Sequence, residues 1–365
     1  MKSTFIFLLS LLIISCNQPK ETTLIDIASA DCFFQLAEKI ENEQAVSGED
    51  WDSLFATPGY VLTNRIIDKE EIKEVMLITF DPKRINQRDS LLSIPFDELD
   101  PDSPLYTSLL MLGNFKNMQD NWKELKKFRK SYDFNSLVVN SRKHLKNFLI
   151  NPIDSLIVSP SISIVCMDPE ARSLRGIIMD FNILYKNPEA MVGLLAHEMF
   201  HSYRANFIDE EFTYSNSVVA AMELLLNEGL TDQVDKDDPF QLLESVGIPD
   251  FIKDKYKYAY ENTPKILEEL DSLAVSYIDG NMEQNDFWRK AYELIAFEGH
   301  PNGYYMTSMI KKQGLLKELL NNFTNPVAFA KIYNKAATAE KSYTFSDKLM
   351  NYLEDFETNY RKALP

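Results

Sequence analysis

The chain has 365 residues, 45% hydrophobic and 12% aromatic, enough to bury one large core or two intimately packed ones. Its formal net charge is −17, and a surface that acidic repels phosphate backbones, which argues against nucleic-acid binding. The one basic run, "KELKKFRK" at 123–130, lies in a helical pattern and reads as a solvated face.

The N-terminus is "MKSTFIFLLSLLIISC". Lys2 supplies a positive start, and Thr4 to Ile14 is an apolar run broken only by Ser10. That run is too short to span a bilayer and suits a signal-peptide core. It ends in Ile13-Ile14-Ser15-Cys16, which resembles a bacterial lipoprotein lipobox, in which the cysteine becomes the lipidated first residue after cleavage. The expectation is a signal peptide over 1–15, a polar tether over 16–23 and a lipid at Cys16 anchoring the protein to a bacterial cell envelope, outside the cytoplasm. No other segment approaches 18 uninterrupted apolar residues, so the body is expected to be soluble. Cys32 and Cys166 then remain. They can pair outside the cytoplasm, but two cysteines make no disulfide framework. Cys166, in the apolar "SISIVCM", reads as a small core residue.

From about 24 to 151 the pattern is helical, with Leu24, Ala28, Cys32, Leu36 and Ile40 recurring every fourth position. After Pro152 the character changes. "SLIVSPSISIVCM" and "RGIIMDFNILY" predict a strand pair at roughly 156–166 and 175–185, with "DPEARSLR" as the loop between them. "KNPEAMVGLLAHEMFHSYRANF" opens with Asn187-Pro188-Glu189, which predicts a helix with Asn187 as cap and Pro188 in its first position. "YSNSVVAAMELLLNEGLTDQVD" is a second helical stretch, and helical patterns dominate again from 250. The domain reading is an N-terminal helical region over 24–151 and a catalytic region over 152–365.

The chain has only four histidines, and two of them stand in "HEMFH" at 197–201. Residues four apart on a helix share a face, so His197 and His201 can aim a ring nitrogen at one ion. Glu198 sits beside that line, within reach of a water at the metal. Two imidazole ligands and a carboxylate that takes the water's proton are the parts of a zinc hydrolase. The flanking Leu194, Leu195, Ala196, Met199 and Phe200 would bury the motif, and buried imidazoles need a partner. A catalytic zinc wants three protein ligands. Position 207 is Phe, so no third histidine follows closely and a carboxylate is required. Asp209 and Glu210 follow too closely in an exposed-looking "IDEEF" run, and Glu223 lies where a solvent role fits. Glu228 in "LLLNEGLTD" is the best candidate.

His-Glu-x-x-His followed by "NEG" is similar to the gluzincin metallopeptidases, whose third ligand is a glutamate on the next helix. Asp232, four residues after Glu228, matches the position where thermolysin-like members place a carboxylate that fixes a ligand histidine. The 26 residues between His201 and Glu228 exceed the spacing of the best-known members, implying a longer connection at "ANFIDEEFTYSNS". The resemblance covers roughly 160–235. It implies an α+β, predominantly helical fold with a zincin-like core, and a small sheet whose edge strand precedes the motif helix and holds extended peptide. "GIIMDFNIL" is the expected strand. The chain also looks like bacterial lipoproteins described as zinc-dependent peptidases, a likeness that includes "GHPNGYYM" at 299–306. Pro-Asn-Gly there reads as a tight turn ahead of a helix starting near Tyr304. His300, Tyr304 and Tyr305 are available to stabilise an oxyanion, with Tyr305 favoured by the resemblance alone.

The sequence therefore predicts a lipid-anchored zinc peptidase acting on peptide substrates. His197, His201 and Glu228 hold Zn2+, Glu198 is the general base, Asp232 orients a ligand histidine, and His300 or Tyr305 serves the oxyanion. Two alternatives share the motif: a binding or assembly lipoprotein that keeps the zinc without hydrolysis, against which the intact Glu198 argues, and a zinc hydrolase of non-peptide amides or esters. There is no phosphate-binding glycine loop, no G-x-S-x-G and no C-x-x-C. His144 lies on a polar helix and is expected at the surface. Oligomeric state is not legible.

Overall fold

A computed structural model describes residues 24–96, 99, 103–150, 161–238, 240 and 250–363. The expected signal peptide and tether, with Cys16, lie outside the described residues. The fold is α+β and predominantly helical, with one small sheet.

The N-terminal part is a helical layer, as its periodicity predicts. It comprises α1 (Ala28–Glu41), α2 (Gly48–Phe55), α3 (Pro58–Thr63), α4 (Lys69–Phe80), α5 (Ile85–Leu92), α6 (Pro104–Asp120), α7 (Trp122–Ser131) and α8 (Phe134–Leu145). The buried face of α1 is set by Phe33, Leu36, Ala37 and Ile40, while Cys32 is only half-buried. Cys32 and Cys166 are separate thiols. The basic run falls on α7, whose lysines are largely solvated, in line with its reading as a surface face.

Within the described residues the strands are shorter than predicted, and 156–160 of the predicted first strand lies outside them. Strand β1 is Ile162–Val165, β2 is Ala171–Ser173 and β3 is Ile177–Asp180, in the order β1-β3-β2. β1 and β3 are parallel, and β2 is antiparallel to β3. Three expectations are corrected here. The "DPEARSLR" loop contains β2, and "GIIMDFNIL" supplies the central strand, so the edge position belongs to β2. The apolar run after β3 is also not strand. Asp180 accepts hydrogen bonds from the Asn182 and Ile183 amides and starts α9 (Phe181–Lys186). The far edge of β1 is partly covered, because Asp26 bridges to Ser163.

Helix α10 (Ala190–Ala205) carries the histidine motif. It begins later than Asn187-Pro188 predicts, since the Asn187 amide is used to close α9 on the Ile183 carbonyl. Short α11 (Glu210–Tyr214) occupies the predicted long connection, capped by Asp209. Then α12 (Ser217–Asp235) runs through the centre of the molecule, capped by the Asn216 side chain. It is buried on nearly all sides, so each polar side chain on it must find a partner inside the protein.

The C-terminal helices are α13 (Asp250–Glu261), α14 (Thr263–Ile278), α15 (Gln284–Leu294), α16 (His300–Lys312), α17 (Leu316–Leu320), α18 (Pro326–Glu340) and α19 (Asp347–Ala363). Helix α16 starts at His300, not near Tyr304, and Pro-Asn-Gly forms its first turn instead of a loop. The reason is packing. A Cβ on Gly303 would sit 2.2 Å from the Leu225 carbonyl oxygen, and one on Gly229 2.3 Å from the Gly303 carbonyl carbon. Two glycines therefore let α12 and α16 cross backbone to backbone, and the Thr307 hydroxyl locks the crossing by donating to the Gly229 carbonyl at 2.7 Å. One hydrophobic cluster runs from Phe33 and Phe115 through Phe181 and Phe200 to Leu226 and Tyr333, across the 151/152 boundary read from the sequence.

Candidate metal centre

The motif behaves as a helix pattern requires. His197 and His201 leave α10 on one face, and their Nε2 atoms approach to 3.1 Å. Glu228 on α12 faces them, its Oε2 lying 3.3 Å from His201 Nε2 and 3.9 Å from His197 Nε2. The three atoms are spaced like the ligands of one ion held at about 2.0–2.1 Å.

The other ring nitrogens are occupied. His197 Nδ1 lies 3.0 Å from Asp235 Oδ1 and 3.6 Å from Asp232 Oδ1, and His201 Nδ1 lies 3.2 Å from Asn227 Oδ1. Because these partners are oxygen acceptors, each Nδ1 carries a hydrogen, and each Nε2 is the nitrogen left to face a metal. Two Nε2 atoms and a carboxylate oxygen aimed at one point need positive charge between them, which ring protons or one metal ion supplies. The charge count agrees. Glu198, Glu228, Asp232 and Asp235 share this interior with one ammonium, Lys236, which binds Asp232 at 2.5 Å. A divalent cation relieves that excess.

Burial would raise the Glu228 carboxyl, but His201, His300 and His197 together hold it well below the ordinary range. For Asp232 burial likewise opposes ionisation, yet Lys236 and His300 hold its pKa at about 2. Glu198 is different. It is 5% exposed, and burial pushes its carboxyl above the usual value despite the neighbouring histidines. No hydrogen-bond donor among the described residues occupies it, so it remains free to accept a proton.

Asn227, Asp235 and Arg204 surround the candidate centre and were passed over by the sequence reading. Asn227 Nδ2 donates to Glu228 Oε1 at 2.7 Å while its oxygen faces His201, so one amide holds two candidate ligands. Arg204, fully buried on α10, donates to Asn227 Oδ1, to the Phe323 carbonyl at 2.8 Å and to Glu223 at 3.0 and 3.2 Å. Glu223, given a solvent role by the sequence reading, is instead buried as the counter-ion of Arg204. Asp209 bonds Tyr360 at 3.0 Å and caps α11. A signal for Asp235 was present: Glu228, Asp232 and Asp235 follow i, i+4, i+7 spacing, one helix face.

The oxyanion candidates separate. The Tyr304 hydroxyl donates to the Lys236 carbonyl at 3.1 Å. The Tyr305 hydroxyl pairs with Ser342 Oγ at 3.2 Å and its ring packs on Tyr260. Only His300 enters the centre, with Nε2 3.3 Å from Glu228 Oε2 and Nδ1 3.0 Å from Asp232 Oδ1. Asp232 therefore serves His300 more closely than it serves His197. The three residues before His300 hold left-handed backbone: Phe297 at φ 51°, Glu298 at φ 54° and Gly299 at φ 102°. Gly299 is required, since a Cβ there would meet the Leu224 carbonyl oxygen at 2.7 Å. His144 is exposed, and its ring bonds the Val234 carbonyl.

A helical protein whose central helix faces a His-Glu-x-x-His helix with a buried glutamate has the donor set of a zinc hydrolase. Residues 51–342 match the family model described as "Putative zinc dependent peptidase (DUF5700)", and the chain belongs to that family. Comparison with curated proteins finds no match, and comparison with solved structures finds none either. The cofactor is zinc, and the nitrogen and oxygen donors of the centre suit it.

Removing the oxygen that orients a zinc-bound imidazole weakens metal binding by about 10–100-fold. Asp235→Ala is expected to do so, read by competition with a chelator of known affinity. Unchanged affinity would mean that Asp235 does not orient His197.

Proposed function

We propose that the protein is a zinc peptidase of gluzincin type, anchored in a bacterial cell envelope, outside the cytoplasm, by lipid on Cys16. The observation that carries the catalytic reading is the convergence of His197, His201 and Glu228 on one point beside an uncommitted, buried Glu198. His197, His201 and Glu228 hold the zinc. When bound, the metal supplies Lewis acidity toward water and a substrate carbonyl. Glu198 takes the proton of the attacking water and passes it to the leaving nitrogen; burial, by raising its proton affinity, matches it to both halves of that task.

Substrate placement follows from the sheet. β2 is an edge strand packed on α10, and Ser173 Oγ lies 2.8 Å from Ser202 Oγ, next in sequence to His201. An extended peptide can add to the side of β2 that no described strand pairs with, through backbone hydrogen bonds, and so lie along the motif helix.

The test is digestion of a mixed peptide library by the zinc-loaded protein. Cleavage products are expected, lost on chelation and regained with zinc. A fully zinc-loaded protein that cuts no peptide in the library would overturn the peptidase reading.

A further inference from the structure

We infer that His300 is a fourth protein ligand of the zinc in the resting centre, joining His197, His201 and Glu228 in a three-histidine, one-glutamate set. The identity of the metal rests on the zinc-peptidase reading; the coordination itself does not depend on hydrolysis.

The three imidazoles are held in the same way. Each has its Nδ1 fixed by an oxygen from α12: His197 by Asp235 at 3.0 Å, His201 by Asn227 at 3.2 Å and His300 by Asp232 at 3.0 Å. Each turns its Nε2 toward the same atom, Glu228 Oε2, at 3.9, 3.3 and 3.3 Å in that order. An Nδ1 hydrogen bond to a carboxylate or amide oxygen, with Nε2 left for the metal, is the usual arrangement of a metal-bound histidine. His300 also stacks beside His197, ring centroids 5.8 Å apart and planes 22° apart, and the ligand atoms of His197, Glu228 and His300 all lie within 4.8 Å of one another.

Coordination through Nε2 excludes a resting role as oxyanion donor. Bound to zinc there, with its Nδ1 hydrogen given to Asp232, His300 has no proton to offer, whereas oxyanion stabilisation needs a donor. Nε2 faces the same Glu228 oxygen as the other two imidazoles.

Four protein ligands fill a tetrahedral zinc. Substrate then enters either by expansion to five ligands or by displacement of one. His300 is the ligand built to move. Its side chain is 30% exposed, against 5% for His197 and 16% for His201. It is also the first residue of its helix, directly after the left-handed Phe297-Glu298-Gly299 corner, while the other two sit mid-helix.

X-ray absorption on the zinc-loaded protein counts imidazoles directly. Three are expected in the wild type and two in His300→Gln, with zinc affinity of the variant lowered by at least about tenfold. Two imidazoles in the wild type, or equal zinc affinity in both proteins, would overturn the assignment. Three imidazoles in a protein that cleaves nothing would uphold it and sink only the peptidase reading. A wild type that binds no zinc would overturn both.

Discussion

Glu198→Gln is expected to lower peptide hydrolysis by about 10²–10⁴-fold, the usual range for a positioned general base, without lowering zinc content. Glutamine has the shape of glutamate and no proton affinity to contribute. The side chain lies on α10 between the two motif histidines, yet it coordinates nothing in the ligand set. The substitution should also be tolerated by the fold, because no described residue hydrogen-bonds the carboxylate and burial already disfavours its charge. Loss of kcat with KM little changed is the expected pattern. Equal cleavage by both proteins would place the activity elsewhere. Lost zinc in the variant would mean that Glu198 is a ligand.

The largest stability effect is expected at Arg204. Its guanidinium is wholly buried, and Glu223, 3% exposed, is its counter-ion. Arg204→Met leaves the Glu223 carboxylate without that charge in an apolar interior, which costs about 3–5 kcal/mol. It also strips a donor from Asn227, the amide that holds both His201 and Glu228. The two consequences can be separated. Arg204→Met with Glu223→Leu replaces the pair with apolar volume and should recover most of the stability, while zinc binding stays weaker because Asn227 remains unanchored. Denaturant unfolding of the three proteins reads the first effect and chelator competition the second. If Arg204→Met unfolds at the same denaturant concentration as the wild type, the pair is not supporting the fold.

Local patterns carried far in the sequence, and contacts between distant segments did not. The helical character of the N-terminal half was legible because its apolar periodicity is a property of neighbouring residues. That His197, Glu198 and His201 share one helix was legible for the same reason, and the "NEG" setting drew Glu228 to them. The strand predicted over 175–185 failed at Asp180, where a helix cap was hidden in a run of β-favouring residues. Gly303 read as a turn residue because a glycine that permits a helix crossing looks, in one dimension, like a glycine that bends a loop. His300 lies 68 positions from Asp232, and only the α12–α16 crossing brings the two together. Arg204 lies near a helix end, where a cation is ordinarily solvated. Its burial depends on α12 being enclosed on all sides, which no local pattern declares. Asp235 shares a face with Glu228 and Asp232, but its partner, His197, comes from another helix.

The central claim is that α10 and α12 together hold one zinc ion. Elemental analysis of the purified protein beside Glu228→Ala tests it most directly. About one zinc per chain in the wild type, and clear loss in the variant, is the predicted result. A wild type without zinc even after reconstitution, or a variant that keeps its zinc at full affinity, would contradict it.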